Sequence, residues 1–171
     1  MSTDTALMDS DRIEPDRPPH QSRQSSDLAR PRMSTHDFSH EITLAPAFHD
    51  LDPMDVVWHG NYVKYLELAR CEVLAKYGYN YPDMAASGYA WPIVDMRLKY
   101  VKPARFQQSL TIRASIVEWE SRLKIDYVIR DTETGLTLTK AHTIQVAVDV
   151  KTGEMLYLCP PVLWQKLGVA P

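Results

Sequence analysis

Between His40 and Phe48, His40, Ile42, Leu44, Pro46 and Phe48 alternate with Glu41, Thr43, Ala45 and Ala47. That alternation puts the two sets on opposite sides of an extended chain and predicts a half-buried strand. At Tyr62 the period changes. Tyr62, Leu66, Ala69, Val73 and Tyr77 recur at spacings of three and four, with good helix formers between them, Asn61 as N-cap and Gly78 as a stop. Tyr65, Leu68 and Leu74 flank this stripe and widen it, so the pattern predicts one long, largely buried helix. Tyr79 to Ala90, punctuated by Pro82 and Gly88, reads as a loop.

The rest of the chain returns to a period of two. Val94, Met96, Leu98 and Tyr100 alternate with polar residues between Pro92 and Pro103, and Leu110, Ile112, Ala114 and Ile116 follow in the same way. Leu123, Ile125, Tyr127 and Ile129 come after a short polar turn at Glu120 and Ser121. A last long strand is expected over 136–148, entered through the turn 131–135 and left through Lys151-Thr152-Gly153; Lys140 and His142 break its apolar parity and suggest a bulge or strand end. Short connections make neighbouring antiparallel strands, so the expectation is strand, long helix, then about four strands in a meander. This is an α+β domain with the helix against an antiparallel sheet of about five strands. One helix covers only part of one sheet face, which predicts a homo-oligomer, dimer or tetramer.

Length and composition narrow the function classes. The 171 residues suffice for one domain with a sizeable core. A net charge of -3 and a pI near 6.0 give no global argument for nucleic acid or an anionic membrane. No apolar run approaches the ~20 residues of a membrane span. Cys71 and Cys159 form neither a disulfide framework nor a zinc spacing, which points to a reducing cytoplasm. Residues 1–37 are rich in Ser, Asp, Arg and Pro and lack aromatic residues, so they are expected to be a disordered tail preceding a domain over 38–171. Met33 lies just before the ordered pattern and is an alternative start; the intact mass of the endogenous chain decides between it and Met1.

The chemistry gathers in Phe48–Arg70, where Asp50, Asp52 and Asp55 precede an apolar step and a helix start at His59-Gly60-Asn61. There is no G-x-S-x-G elbow for a serine nucleophile. Cys71 sits inside the helix and Cys159 precedes Pro160-Pro161, which makes both packing residues. His49, His59 and the aspartates lack a recognised metal spacing, so no metal is expected. What remains is a carboxylate acting without a triad. Such a group needs a good leaving group, which a thioester has, and a stabilised oxyanion. Backbone N–H groups at a helix start supply the second, a contribution on the order of 100- to 1000-fold in rate.

The run Asp50-Leu51-Asp52-Pro53-Met54, then Val56-Val57-Trp58-His59-Gly60-Asn61-Tyr62 and Glu67-Leu68-Ala69-Arg70, resembles the signature of hot-dog-fold acyl-CoA thioesterases of the 4-hydroxybenzoyl-CoA thioesterase family. Tyr100-Val101-Lys102-Pro103-Ala104-Arg105 resembles that family's second-strand segment, and the resemblance extends from about Phe38 to Leu158. It implies a helix wrapped by an antiparallel sheet, sheets joined edge to edge in a dimer, and active sites at the subunit interface. By position it implies Asp52 as catalytic carboxylate, either base or nucleophile, and the backbone N–H of His59 as oxyanion donor. Glu67 matches a helix position facing the acyl pocket, and Arg122 a basic position contacting coenzyme A phosphate. Coenzyme A is then part of the substrate and no separate cofactor is implied; the substrate is an acyl-CoA or an acyl-carrier protein. The family usually has Gly where this chain has Asp55.

Plainer readings stand beside these. Asp before Pro is common in turns, His59 can be only the start of a helix, Glu67 the partner of a nearby cation, and Arg122 a solvated turn charge. A non-catalytic hot-dog module that holds an acyl thioester is the alternative from the binding class. A hydratase on this fold is disfavoured, since no histidine and acid pair in a recognisable motif.

Overall fold

The computed structural model describes residues 37–169; the expected tail, apart from its last residue, and Met33 lie outside them. The first strand, β1 (Ser39–Leu44), leads through a single 3-10 turn (Phe48–Asp50) to α1 (Asn61–Lys76). Then come α2 (Tyr81–Ser87), β2 (Tyr89–Ala90), β3 (Ile93–Tyr100), β4 (Leu110–Glu118), β5 (Leu123–Asp131), β6 (Thr137–Gln145), β7 (Val148–Asp149) and α3 (Pro161–Leu167). The main sheet is antiparallel, in the order β1-β4-β5-β6-β3. This is the expected α+β hot-dog architecture.

Register explains the core. Ile42 pairs with Ile112 and Ile112 with Ile129, so these strands share one apolar face. Leu110, Ile112, Leu123, Ile125 and Ile129 are fully buried there against Leu66, Ala69 and Val73 of α1. The helix lies over β1 and β4. Its outer side is open: Leu68, expected in the buried stripe, is half exposed, while Asn61 and Arg70 are buried. Asn61 is not the cap. Gly60 takes that position, and Asn61 is the first helical residue.

Four expectations are revised. The strands after the helix are not one meander, because β3 pairs with β6 at the far edge while β4, β5 and β6 follow in succession. The connection from Val101 to Ser109 carries the chain back across the sheet; its nine residues span up to ~30 Å, against ~14 Å for three strand spacings. It is tied down along the way by Lys102 N–H to Leu138 O, Ala104 N–H to the Tyr62 hydroxyl and Gln107 N–H to Pro46 O. Tyr79–Ala90 is not a loop, since α2 forms behind an Asn80 cap whose side chain accepts the Tyr81 N–H and whose own N–H donates to the Asp83 carboxylate.

The last long strand is interrupted. Ile93 pairs with Gln145 and Ala90 with Val148, so β2 and β7 continue the β3–β6 ladder in register beyond a gap at Pro92, which has no N–H to donate. Finally, Lys140 and His142 mark no bulge. They point outward, and the inward positions of β6 are Thr139, Ala141, Thr143 and Gln145. That face is polar yet buried, and part of it is bonded: Thr143 to the Tyr127 hydroxyl at 3.0 Å and Gln145 Nε2 to Trp91 O at 2.7 Å, while Thr139 Oγ1 and Gln145 Oε1 have no partner among the described residues.

Candidate active site

The loop between the 3-10 turn and α1 is held by its own backbone. Asp52 N–H donates to Val56 O at 2.8 Å, Asp55 N–H to Asp52 O at 3.0 Å, and Leu51 bridges to Val57. Asp55 sits at φ +58°, the left-handed region that glycine adopts freely and that aspartate tolerates better than most residues. Trp58 N–H bonds Asp50 O at 2.8 Å, and Val57 N–H bonds Ala104 O at 2.9 Å, locking the loop to the helix start and to the crossing connection.

Two of the three aspartates have clear and different environments. Asp50 is buried; its carboxylate accepts the Ala47 N–H at 2.9 Å and the Tyr65 hydroxyl at 2.8 Å, and its carbonyl accepts the Asn61 side-chain amide at 2.9 Å. Burial pushes this carboxyl upward, but the Ala47 and Tyr65 hydrogen bonds, with His49 and Lys64 nearby, outweigh it and hold it below the ordinary carboxylate value. Asp50 is therefore a structural anchor. Asp52 is only half buried, and one of its oxygens, Oδ1, accepts Met54 N–H at 2.8 Å. This is the turn bond anticipated for an Asp before Pro, and it orients the carboxylate without enclosing it.

Asp52 and His59 line one cavity of about 280 Å³, together with Val57, Tyr62, Tyr100 and Lys102. Among the described residues, the backbone N–H of His59 has no hydrogen-bond acceptor, while its carbonyl accepts the Tyr100 hydroxyl at 3.1 Å. Gly60 is required by close approach: a Cβ there would lie 2.2 Å from the Trp58 ring. Burial raises the Tyr62 phenol, whose oxygen accepts the Ala104 N–H at 3.0 Å. Tyr62, Tyr100 and Lys102 were not singled out in the sequence as site residues. The signal for all three was present, since Tyr62 closes the Val56–Tyr62 run and Tyr100 and Lys102 belong to the Tyr100–Arg105 segment.

The other two expected residues are elsewhere in the chain. Glu67 pairs with the buried Arg70 and with the Tyr81 hydroxyl, forming a polar cluster between α1 and α2. Arg122 is exposed and pairs with Glu118 at 2.8 Å. It precedes Leu123, which pairs with Gln145, whereas Tyr100 pairs with Thr139 near the other end of β6. Roughly 20 Å of strand separates those ends. Burial pushes the Cys159 thiol up to about 12 and also raises Cys71, so neither is a ready nucleophile.

The family model described as the thioesterase-like superfamily matches residues 46–167. The chain belongs to that superfamily. Membership makes it a thioester hydrolase. It is 32% identical over 128 residues to a putative esterase of Synechocystis, covering 74% of this chain and 77% of that one. It is 30% identical over 103 residues to the acyl-CoA thioester hydrolase YbgC of Escherichia coli, covering 60% of this chain and 76% of that one. A solved 4-hydroxybenzoyl-CoA thioesterase superposes with a TM-score of 0.67 at 22% identity, over 76% of this chain and 99% of that one, which establishes the shared fold.

Proposed function

We propose that this superfamily member hydrolyses acyl-CoA or acyl-carrier-protein thioesters at the Asp52–His59 cavity. The observation that carries the reading is that one cavity at the start of α1 is lined both by Asp52, whose carboxylate is oriented by its turn, and by His59, whose backbone N–H has no acceptor among the described residues. The thioester carbonyl oxygen lies toward the His59 N–H, where the positive end of the helix supports developing negative charge. Asp52 either takes a proton from an attacking water or attacks the carbonyl itself. In both routes the C–S bond breaks and the thiolate departs and is protonated by solvent; in the base route the activated water supplies the second oxygen of the free acid, and in the nucleophilic route water cleaves the acyl–Asp52 anhydride at one of its two carbonyls. A thiolate leaves without a strong acid, which suits a site whose reactive side chain is a carboxylate.

The same proposal includes a homodimer built on β3. This strand is an open edge carrying Val94, Tyr100 and, just beyond it, Val101, each about half exposed, and α1 covers β1 and β4 instead. An edge with exposed apolar side chains invites pairing. Two copies of β3 running antiparallel would bring the Ile93 end of one against the Tyr100 end of the other. Arg122 and the Glu67–Tyr81 cluster of the second copy then approach the Asp52 cavity, which reconciles their distance within one protomer. The two free cysteines fit a reducing cytoplasm.

The test is thiol release from a panel of aliphatic and aromatic acyl-CoA and acyl-carrier-protein substrates. Asp52→Asn is expected to lower kcat at least about 100-fold with little change in melting temperature. Full activity in Asp52→Asn would overturn the assignment. Label in Asp52 after single turnover in ¹⁸O water identifies the nucleophilic route, with water opening the anhydride at the Asp52 carbonyl, because general-base catalysis leaves none there. Sedimentation of Val94→Glu should show monomer where the parent shows dimer; an unchanged dimer would remove β3 from the interface.

A further inference from the structure

The face of the sheet turned away from α1 carries charge that the thioester site does not use. Lys99 of β3 lies directly opposite Lys140 of β6, and Arg97 opposite His142. Like charges directly across a ladder, ~5 Å apart, destabilise a sheet. Such faces normally interleave carboxylates. Here Asp95 lies 3.7 Å from the His142 imidazole and Asp126 3.9 Å from Lys124, and Arg97, Lys99 and Lys140 make no ion pair among the described residues, so the cations of the face outnumber its two carboxylates. The excess is local, because the whole chain has 22 acidic against 19 basic residues.

We propose that this face docks an acidic protein surface, namely the acidic helix of a carrier protein that brings the acyl group on a flexible thiol arm. This rests on the thioesterase reading above and names its partner. Three features favour a protein over a small phosphate. The concavity among these side chains, about 320 Å³, is open, and Arg97, Lys99 and Lys140 are all exposed. The cations do not converge on one point but occupy a patch of roughly 5 by 7 Å on two strands, with Lys124 one strand further. Across three strands that is ~10 Å, the width of a helix with its side chains. The face also lies at the right end of the sheet: Lys99 adjoins Tyr100, and residues 100–103 line the Asp52 cavity. An arm from a protein on this face must pass only around the end of one layer, ~10 Å thick. Pairing of two copies through β3 leaves the face open, since Arg97 and Lys99 point away from the α1 side.

The experiment compares one acyl group on three thiols: octanoyl-carrier protein, octanoyl-CoA and octanoyl-pantetheine. Lys99→Glu/Lys140→Glu is expected to lower kcat/KM for the carrier protein about tenfold or more, through KM, while pantetheine and coenzyme A thioesters change less than about twofold. An equal loss on octanoyl-CoA with pantetheine unaffected would make the patch a phosphate site and overturn the proposal. No change on any substrate would show a solvated face and overturn it as well. Should the reversed chain melt lower, Lys99→Gln/Lys140→Gln provides the same comparison, with a loss of about threefold expected on the carrier protein alone. Binding of the acidic carrier protein to the Asp52→Asn chain by calorimetry reads docking without hydrolysis. Binding that weakens with salt and with the charge reversal supports the dock even if no thioester is cleaved, whereas binding insensitive to both would sink it.

Discussion

The Tyr65 hydroxyl reaches out of the helix to the buried carboxylate of Asp50 at 2.8 Å, fifteen residues earlier in the chain. This bond fixes the loop that carries Asp52 to the helix that presents the His59 amide. Removing it with Tyr65→Phe leaves a buried charge short of one donor and is expected to cost about 1.5–3 kcal/mol, measured by urea unfolding. The pH dependence follows from the sign of the shift. Asp50 has a lowered value in the fold, so its stabilising contribution is complete above the unfolded value of about 4 and is lost as pH falls through the lower folded one. Asp50→Asn should flatten that acid limb; an unchanged limb would mean that other carboxylates set it.

Asp55 at φ +58° makes a separate prediction about backbone strain. Asp55→Gly should leave stability within about 0.5 kcal/mol, because glycine adopts this conformation freely while gaining freedom in the unfolded chain. Asp55→Ala should lose about 1 kcal/mol, since alanine has neither that freedom nor a polar side chain to bond locally. Equal melting temperatures for the two variants would show that the loop relaxes out of the left-handed region. Comparing the acyl preference of Asp55→Gly with the parent also tests whether the extra charge matters to the substrate.

Gly60 and Trp58 are coupled by space alone. A methyl group on Gly60 collides with the outer edge of the half-exposed Trp58 indole, a rigid ring that must swing aside as a whole. Gly60→Ala should therefore displace Trp58, destabilise the protein by about 1–3 kcal/mol and alter tryptophan emission. Adding Trp58→Ala should restore part of the loss, a coupling a double-mutant cycle reads directly. Strict additivity would show that the two positions do not meet.

Glu67 separates a structural role from a catalytic one. It balances Arg70, which is only 5% exposed and whose Nε has no partner. Glu67→Gln retains a hydrogen-bond acceptor and should lose less stability than Glu67→Ala, for which about 1–3 kcal/mol is expected, discounted because Glu67 is 40% exposed. If Glu67 also meets the acyl group across the β3 interface, Glu67→Gln changes the ranking of acyl substrates at nearly constant stability. A stability loss with no change in ranking leaves it purely structural.

The strands and the long helix were legible because their signals are local. Alternation in β1, β4 and β5 and the three-and-four spacing of α1 follow from the geometry of a single element burying one side. The loop at Asp52 was legible for the same reason, as a short contiguous run feeding a helix. β6 misled because its inward face is Thr139, Ala141, Thr143 and Gln145, and their burial depends on partners from other strands, Tyr127 and the Trp91 carbonyl. α2 was missed because seven residues carry too little period, and its start is set by the Asn80–Asp83 exchange.

The sequence by itself determined the fold class, the long helix and the site loop, since each is written in neighbouring residues. Tertiary structure alone decided which aspartate is an anchor and which is available, because Asp50 and Asp52 are alike in composition and differ only in what reaches them from Tyr65 and Ala47. It also decided that β3 stands at an edge beside β6, which places Tyr100 on the Asp52 cavity and turns Lys99 and Lys140 toward each other. Those relationships come from pairing residues about forty positions apart, and no local pattern encodes a partner at that distance.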